Sequence, residues 1–114
     1  RAWADTVRRE GWAAEPELSL TTLAARLGTN TGYLSRAINE GLGVNFSTFV
    51  NDLRSEAVAK RMDQGATASV LTLALEAGFS SKASFNRAFR NRFDQTPQAY
   101  RAGAARLPPV SDRE

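Results

Sequence analysis

The chain has 114 residues, of which 42% are hydrophobic and 24% charged, with a formal net charge of +3. That length suits one domain with a modest core rather than two large ones. It contains no cysteine and no histidine, which excludes disulfides, thiolate metal sites and the commonest general base.

The basic charge is uneven. Between Lys82 and Arg106 there are six basic residues and one acid, Asp94, and thirteen of the fifteen basic residues are Arg. Arg suits forked recognition of phosphate or guanine better than Lys does. No apolar run reaches the length needed to cross a bilayer, and no signal peptide is visible. The sequence opens on Arg1 rather than Met and reads as a piece of a longer protein.

Taken in order, Ala2 to Gly11 fit a short helix with Trp3 and Val7 on one face. Trp12 is expected to anchor the loop AAEPELS, where Pro16 suits a helix interior poorly. Both tryptophans read as packing residues, against the core or a partner domain. A second helix is expected from about Leu20 to Leu27, with Gly28-Thr29-Asn30 as the turn after it. A third spans Thr31 to Glu40, burying Leu34, Ala37 and Ile38 and turning Gly32, Ser35, Arg36 and Asn39 away. Gly41-Leu42-Gly43 reads as a helix end. It is no dinucleotide loop, because no strand precedes it and the third glycine is missing.

The longest helical run is NFSTFVNDLRSEAVAKRM, capped by Asn45, in which Phe46, Phe49, Val50, Leu53, Ala57 and Val58 recur at three and four. Asp52 and Glu56 resemble a carboxylate pair. No catalytic partner accompanies them, and Lys60 lies four residues beyond Glu56, so they read as a solvated charged face. After a loop at Asp63–Thr67, Ser69 to Phe93 reads as two short helices joined at Gly78. Ser69 caps the first, and Leu73, Ala74 and Ala77 form its apolar stripe. Gly78 can take the left-handed conformation that ends a helix. Ser80 or Ser81 caps the second, whose Phe85, Phe89 and Phe93 share one face at about 100° per residue. Ala83, Asn86, Arg87, Arg90 and Asn91 fall roughly opposite. Thr96-Pro97 begins a last short helix ending near Arg101, with Tyr100 packed on the unit before it. Ala102 to Glu114 reads as a frayed tail.

This pattern occurs twice. Ser19 to Gly28 aligns with Ser69 to Gly78, matching in cap, apolar position, Leu-Ala pair and turn glycine. With one extra residue in the second copy, Leu34 pairs with Phe85, Arg36 with Arg87, Ile38 with Phe89 and Phe49 with Tyr100. Two short helices around a turn, the second cationic, form the pattern of a helix-turn-helix that enters the DNA major groove.

The stretches LSLTTLAARLG, YLSRAINEGLGVNFSTFVNDLR and VLTLALEAGFSSKASFNRAFRNRFDQTPQAYR resemble the AraC/XylS family of bacterial transcription regulators. The resemblance runs from about Leu18 to Arg101, and GFSSKASFNRAF followed by TPQAYR is its most specific part. It implies an all-α fold of about seven helices. Two helix-turn-helix subdomains, 1–44 and 63–101, would be joined by a linker helix at 45–62, with a flexible tail at 102–114. It implies a cytoplasmic domain that binds double-stranded DNA sequence-specifically, with two recognition helices in successive major-groove segments. No cofactor and no membrane contact are expected. RNA polymerase, and a separate N-terminal sensor or dimerisation portion outside this chain, are the other implied partners.

By position, the family's base-contacting residues carry over to Gly32, Ser35 and Arg36, and to Lys82, Ala83, Asn86 and Arg87. Thr31, Asn39, Ser81 and Arg90 complete the DNA-binding set. Gly32 and Ala83 are smaller than the residues often found there. Arg54 resembles a family arginine with a structural role. If five or six phosphates are neutralised, log K should fall against log salt with a slope near about −5. The alternative for Arg36 and Arg87 is pairing with a carboxylate on a neighbouring helix. The alternative for the whole chain is a helical protein-interaction module, with salt-insensitive association and no dependence on either arginine. An enzyme lacks support, with no His, no Cys and no convergent acid–base set.

Overall fold

Every helix from the second onward begins where a side-chain oxygen meets its free N–H groups. The computed structural model describes residues 2–106. Their elements are α1 (Ala2–Glu10), a 3-10 turn (Trp12–Ala14), α2 (Leu20–Arg26), α3 (Thr31–Leu42), α4 (Phe46–Asp63), α5 (Val70–Glu76), α6 (Lys82–Phe93) and α7 (Pro97–Arg106). Among the described residues there is no strand, and the fold is all-α. Ser19, Asn30, Asn45, Ser69 and Ser81 each accept a backbone N–H from three residues on. Each such cap stabilises by about 0.5–2 kcal/mol relative to Ala. Ser81 rather than Ser80 therefore caps α6. Thr96 does the same for α7, accepting from the Ala99 N–H at 3.1 Å.

The sequence repeat is a repeat in space. Thr29 N–H donates to Ala24 O at 2.9 Å and Phe79 N–H to Ala74 O at 3.1 Å, closing both turns in the same way. Gly28 and Gly78 sit at φ +72° and +110°. The ends of α3 and α6 also correspond: Gly43 has φ +73° and Asp94 φ +61°. Asp is among the few non-glycine residues that tolerate this left-handed region.

Two cores share α4. Phe49, Val50 and Leu53 from its first half pack with Val7, Leu23, Leu34 and Ile38. Val58, Ala59 and Met62 from its second half pack with Leu73, Phe79, Phe85 and Phe89. At about 100° per residue these two sets lie on roughly opposite faces of the helix. That change of side corrects the single stripe expected from sequence. Ala57, expected to be buried, is exposed because it continues the first face beyond the end of the first core.

Arg54 ties α4 to the start of the chain. Its Nε donates to Ala13 O at 2.6 Å and its Nη2 to Glu15 O at 2.8 Å and Pro16 O at 3.5 Å. Burial pushes its pKa down, yet the charged form is held by these acceptors. Arg101 plays a similar part in the second unit, donating from Nη2 to Ala66 O at 3.0 Å and Ala68 O at 2.7 Å. Tyr100 packs edge-on to Phe89 at 5.5 Å and donates its O–H to the Asp63 carboxylate at 3.1 Å.

Three element boundaries differ from expectation. Trp12 begins a 3-10 turn rather than a loop. The third helix runs past Glu40 to Leu42 and stops at left-handed Gly43, leaving Gly41 inside it. The last helix runs to Arg106 rather than ending near Arg101, since the Ala-rich residues after Arg101 favour helix and no proline intervenes. The remainder of the expected tail lies outside the described residues.

Candidate nucleic-acid interface

The two second helices, α3 and α6, bury the same face and expose the same face. In α3, Leu34 and Ile38 point inward, and Gly32, Arg36 and Asn39 are exposed roughly opposite. In α6, Phe85 and Phe89 point inward, and the corresponding Ala83, Arg87 and Arg90 are exposed. Each outward face thus has one small residue, one arginine in the middle, and a polar or basic residue one turn later. Thr31 is exposed at the start of α3, and Ser81 and Lys82 at the start of α6. The Ser81 hydroxyl is already engaged, accepting from the Ser84 N–H at 3.1 Å and donating to Ser84 Oγ at 3.0 Å.

Ser35 and Asn86 are also a repeat pair, and both are half-buried. Asn86 does not lie opposite the phenylalanines, as the sequence suggested. It is about 60° around the helix from Phe89, on the flank of the exposed face. Its Oδ1 is buried with no hydrogen-bond partner among the described residues.

Gly32 has room beside it. A Cβ there would meet only Asn30 Oδ1, at 3.5 Å. Its absence of a side chain is a property of the surface presented and not a packing requirement.

Sorting the arginines by partner separates this surface from most of the rest; outside it, among the described arginines, only Arg9 has neither a carboxylate nor a backbone carbonyl, donating instead to Thr6 Oγ1 at 3.3 Å. Glu15 makes a two-pronged pair with Arg26 at 2.6 and 2.8 Å, which lowers the carboxyl pKa and raises that of the guanidinium. Arg61 pairs with Glu76 at 2.6 Å. Glu56 receives Arg8 at 3.3 Å and Arg92 at 3.0 Å from two other helices, rather than Lys60 of its own. Asp52, on the same side of α4, is half-buried and its carboxyl is pushed up by that burial. Arg54 and Arg101 are spent on backbone carbonyls. Among the described residues, no carboxylate pairs with Arg36, Lys82, Arg87 or Arg90. The basic run from Lys82 onward is therefore less available than its count suggests, since Arg92 and Arg101 serve the fold.

Arg87 and Arg90 also line an open concavity of about 890 Å³ between α6 and the start of α4, with Ser47, Asn51 and Ser84 among its walls. Ser47 and Asn51 were not singled out from sequence. They sit on the linker helix, and only the packing of α4 against α6 brings them beside these arginines.

A helix-turn-helix domain family profile matches residues 23–103, from within α2 through the linker helix to α7. The chain is an AraC-type helix-turn-helix domain. Membership makes it a DNA-binding domain of the transcription-regulator type. An uncharacterized HTH-type transcriptional regulator of Staphylococcus aureus is 41% identical to this AraC-type domain over 86 residues. That match takes in 75% of the chain and 11% of the relative. The transcriptional regulator Rob of Salmonella typhimurium is 34% identical over 94 residues, covering 81% of the chain and 31% of Rob. The chain thus spans about a tenth of the Staphylococcus relative and under a third of Rob. The crystal structure of an AraC-type transcriptional regulator from Chromobacterium violaceum superposes with a TM-score of 0.74 and 27% identity. It covers 95% of this chain and 100% of that one. Among the described residues no helix is long and apolar enough to cross a membrane.

Proposed function

We propose that this domain reads an asymmetric duplex site, with α3 and α6 in successive major-groove segments on one face of the DNA. Arg36 and Arg87 are the central readers. The observation that carries this is the sorting of cations: among the described residues those on the outward faces of α3 and α6 are free of carboxylates and gathered there, whereas Arg8, Arg26, Arg61 and Arg92 are ion-paired elsewhere and only Arg9 and Lys60 are unpaired away from these faces. Thr31, Gly32, Ser35 and Asn39 accompany Arg36 on or beside the first face. Ser81, Lys82, Ala83, Asn86 and Arg90 accompany Arg87 at the second. An arginine fork on guanine, or an Asn amide on adenine, discriminates by about 1–3 kcal/mol. Asn86 would read through its amide N–H, because its oxygen is turned inward. The units correspond to residues 1–44 and 63–101, with 45–62 as the rigid spacer. Within the whole protein this domain is the cytoplasmic output half. It works with RNA polymerase and with a separate N-terminal sensor or dimerisation portion, as the family resemblance implies.

Duplexes selected from a random pool test this reading. With Arg36, Lys82, Arg87 and Arg90 as the cations on the two outward faces, log K against log salt is expected to slope at about −3.6, shallower than the raw basic count implies. Fluorescence anisotropy across a salt series measures it. A flat response would favour a protein-interaction module instead.

Two variants divide base reading from phosphate holding. Arg36→Ala is expected to weaken the preferred duplex by about 1–3 kcal/mol and to relax preference at one base pair. Arg90→Ala is expected to weaken all duplexes alike and to reduce the salt slope by about one unit. Titration of both against the selected and a scrambled duplex distinguishes them. Equal weakening of the two duplexes by Arg36→Ala would remove Arg36 from base reading.

A further inference from the structure

The two turn glycines have the same place in the repeat but different surroundings. A Cβ on Gly28 would meet nothing within 4 Å. A Cβ on Gly78 would stand 2.7 Å from Ala13 O, 2.7 Å from Arg54 Nε and 3.1 Å from the Ala14 carbonyl carbon. Ala13 O and Arg54 Nε are the two ends of one hydrogen bond, 2.6 Å long. The turn of the second unit is therefore seated on the bond that closes the first unit onto α4. The arginine cannot swing aside cheaply, since its Nη2 is held by Glu15 O at 2.8 Å.

We propose that Gly78 is a positioning residue, whose seat on the Arg54–Ala13 bond sets the spacing and phase of the two recognition helices on DNA. The two cores lie on opposite faces of α4 and are separate clusters. Ion pairs from Arg8 and Arg92 to Glu56 also bridge the units, but such partly exposed pairs hold a geometry weakly. The seat is backbone against a partly buried hydrogen bond, and an added Cβ would stand 2.7 Å from both of its ends. The consequence for DNA rests on the two-groove reading above; the seat itself does not.

The experiment separates the two. The chain has no cysteine, so Glu40→Cys on α3 and Asn91→Cys on α6 give two unique spin-label sites, both exposed. Electron–electron dipolar spectroscopy without DNA should give one narrow distance in this background. The same narrow distance is expected with Gly28→Ala, which carries milder left-handed strain, φ +72° against +110°, and no seat. Gly78→Ala is expected to shift or broaden it. An unchanged distance in Gly78→Ala would overturn the proposal. On DNA, one base pair inserted between the halves of the selected site turns them by about 35° and parts them by about 3.4 Å. The parent and Gly28→Ala are expected to lose about tenfold in affinity on that insertion, and Gly78→Ala distinctly less. A changed distance with the full insertion penalty retained would also overturn it. If the parent shows no penalty, the two-groove reading fails, while the distance result still decides the seat. Should Gly78→Ala not fold, Ala14→Trp places bulk beside the seat, since Ala14 is exposed and its carbonyl carbon lies 3.1 Å from where a Cβ on Gly78 would stand. The same two readouts then apply.

Discussion

Phe89→Ala is expected to lower the stability of the domain by about 3–5 kcal/mol, the range for truncating a fully buried aromatic. Phe89 is wholly enclosed, with Phe85 at 5.6 Å, Phe93 at 4.7 Å and Tyr100 at 5.5 Å between ring centroids. Its neighbours cannot readily collapse into the gap. Phe85 and Phe93 are fixed by their places on α6, and Tyr100 is tethered through its O–H to Asp63. Urea melts of parent and variant measure the loss. Trp3 and Trp12 both pack on the other core, so their fluorescence reports on the first unit alone. Comparing it with far-ultraviolet circular dichroism shows whether the second unit melts ahead of the first. A loss under about 1 kcal/mol would mean that the second core repacks freely, against the ring geometry described above.

Much of this architecture was legible because its signals are local. A Ser or Asn cap acts on the N–H three residues on, a left-handed turn acts on its own residue, and an amphipathic helix repeats within itself. Hence Ser69, Gly78 and the Phe85–Phe89–Phe93 face could be read directly, and the second copy beginning at Ser19 made chance an insufficient account. The outward placement of Arg36, Arg87 and Arg90 followed from the same periodicity.

What escaped was whatever depends on a partner distant in sequence. A period near 3.6 presumes one buried face and so predicts a single stripe along the linker, whereas α4 serves two cores on opposite sides. Spacing within α4 sets Glu56 beside Lys60, whereas its actual partners come from α1 and α6. Arg92 and Arg101 look the same in a sequence as Arg87 and Arg90. Only the fold shows that Arg92 meets a carboxylate and Arg101 two carbonyls, so the basic count overstated the charge available to DNA. Asn86 already stands about 60° from Phe89 at 100° per residue, so helical spacing itself puts it on the flank rather than on the open face.

The second large effect is expected at Arg54, which ties α4 to the start of the chain. Arg54→Met keeps the apolar stem and removes every donor, and is expected to destabilise by about 2–4 kcal/mol. A bond from a charged donor is worth about 1.5–3 kcal/mol when it is sheltered. The bond to Ala13 O is the sheltered one, with Ala13 buried; those to Glu15 O and Pro16 O are exposed to water and contribute less. The burial that lowers the guanidinium pKa opposes this gain, which keeps the net below the sum of the bonds. Removing the donors leaves Ala13 O without its partner, under a turn that Gly78 presses against it. Arg54→Lys should recover only part of the loss, because a single ammonium cannot occupy both the Nε and the Nη2 positions of the fork. Urea midpoints of the three proteins give the order directly. If Arg54→Met lies within about 0.5 kcal/mol of the parent, water satisfies these carbonyls as well as the arginine does, and the tie between α4 and the start of the chain is not a source of stability.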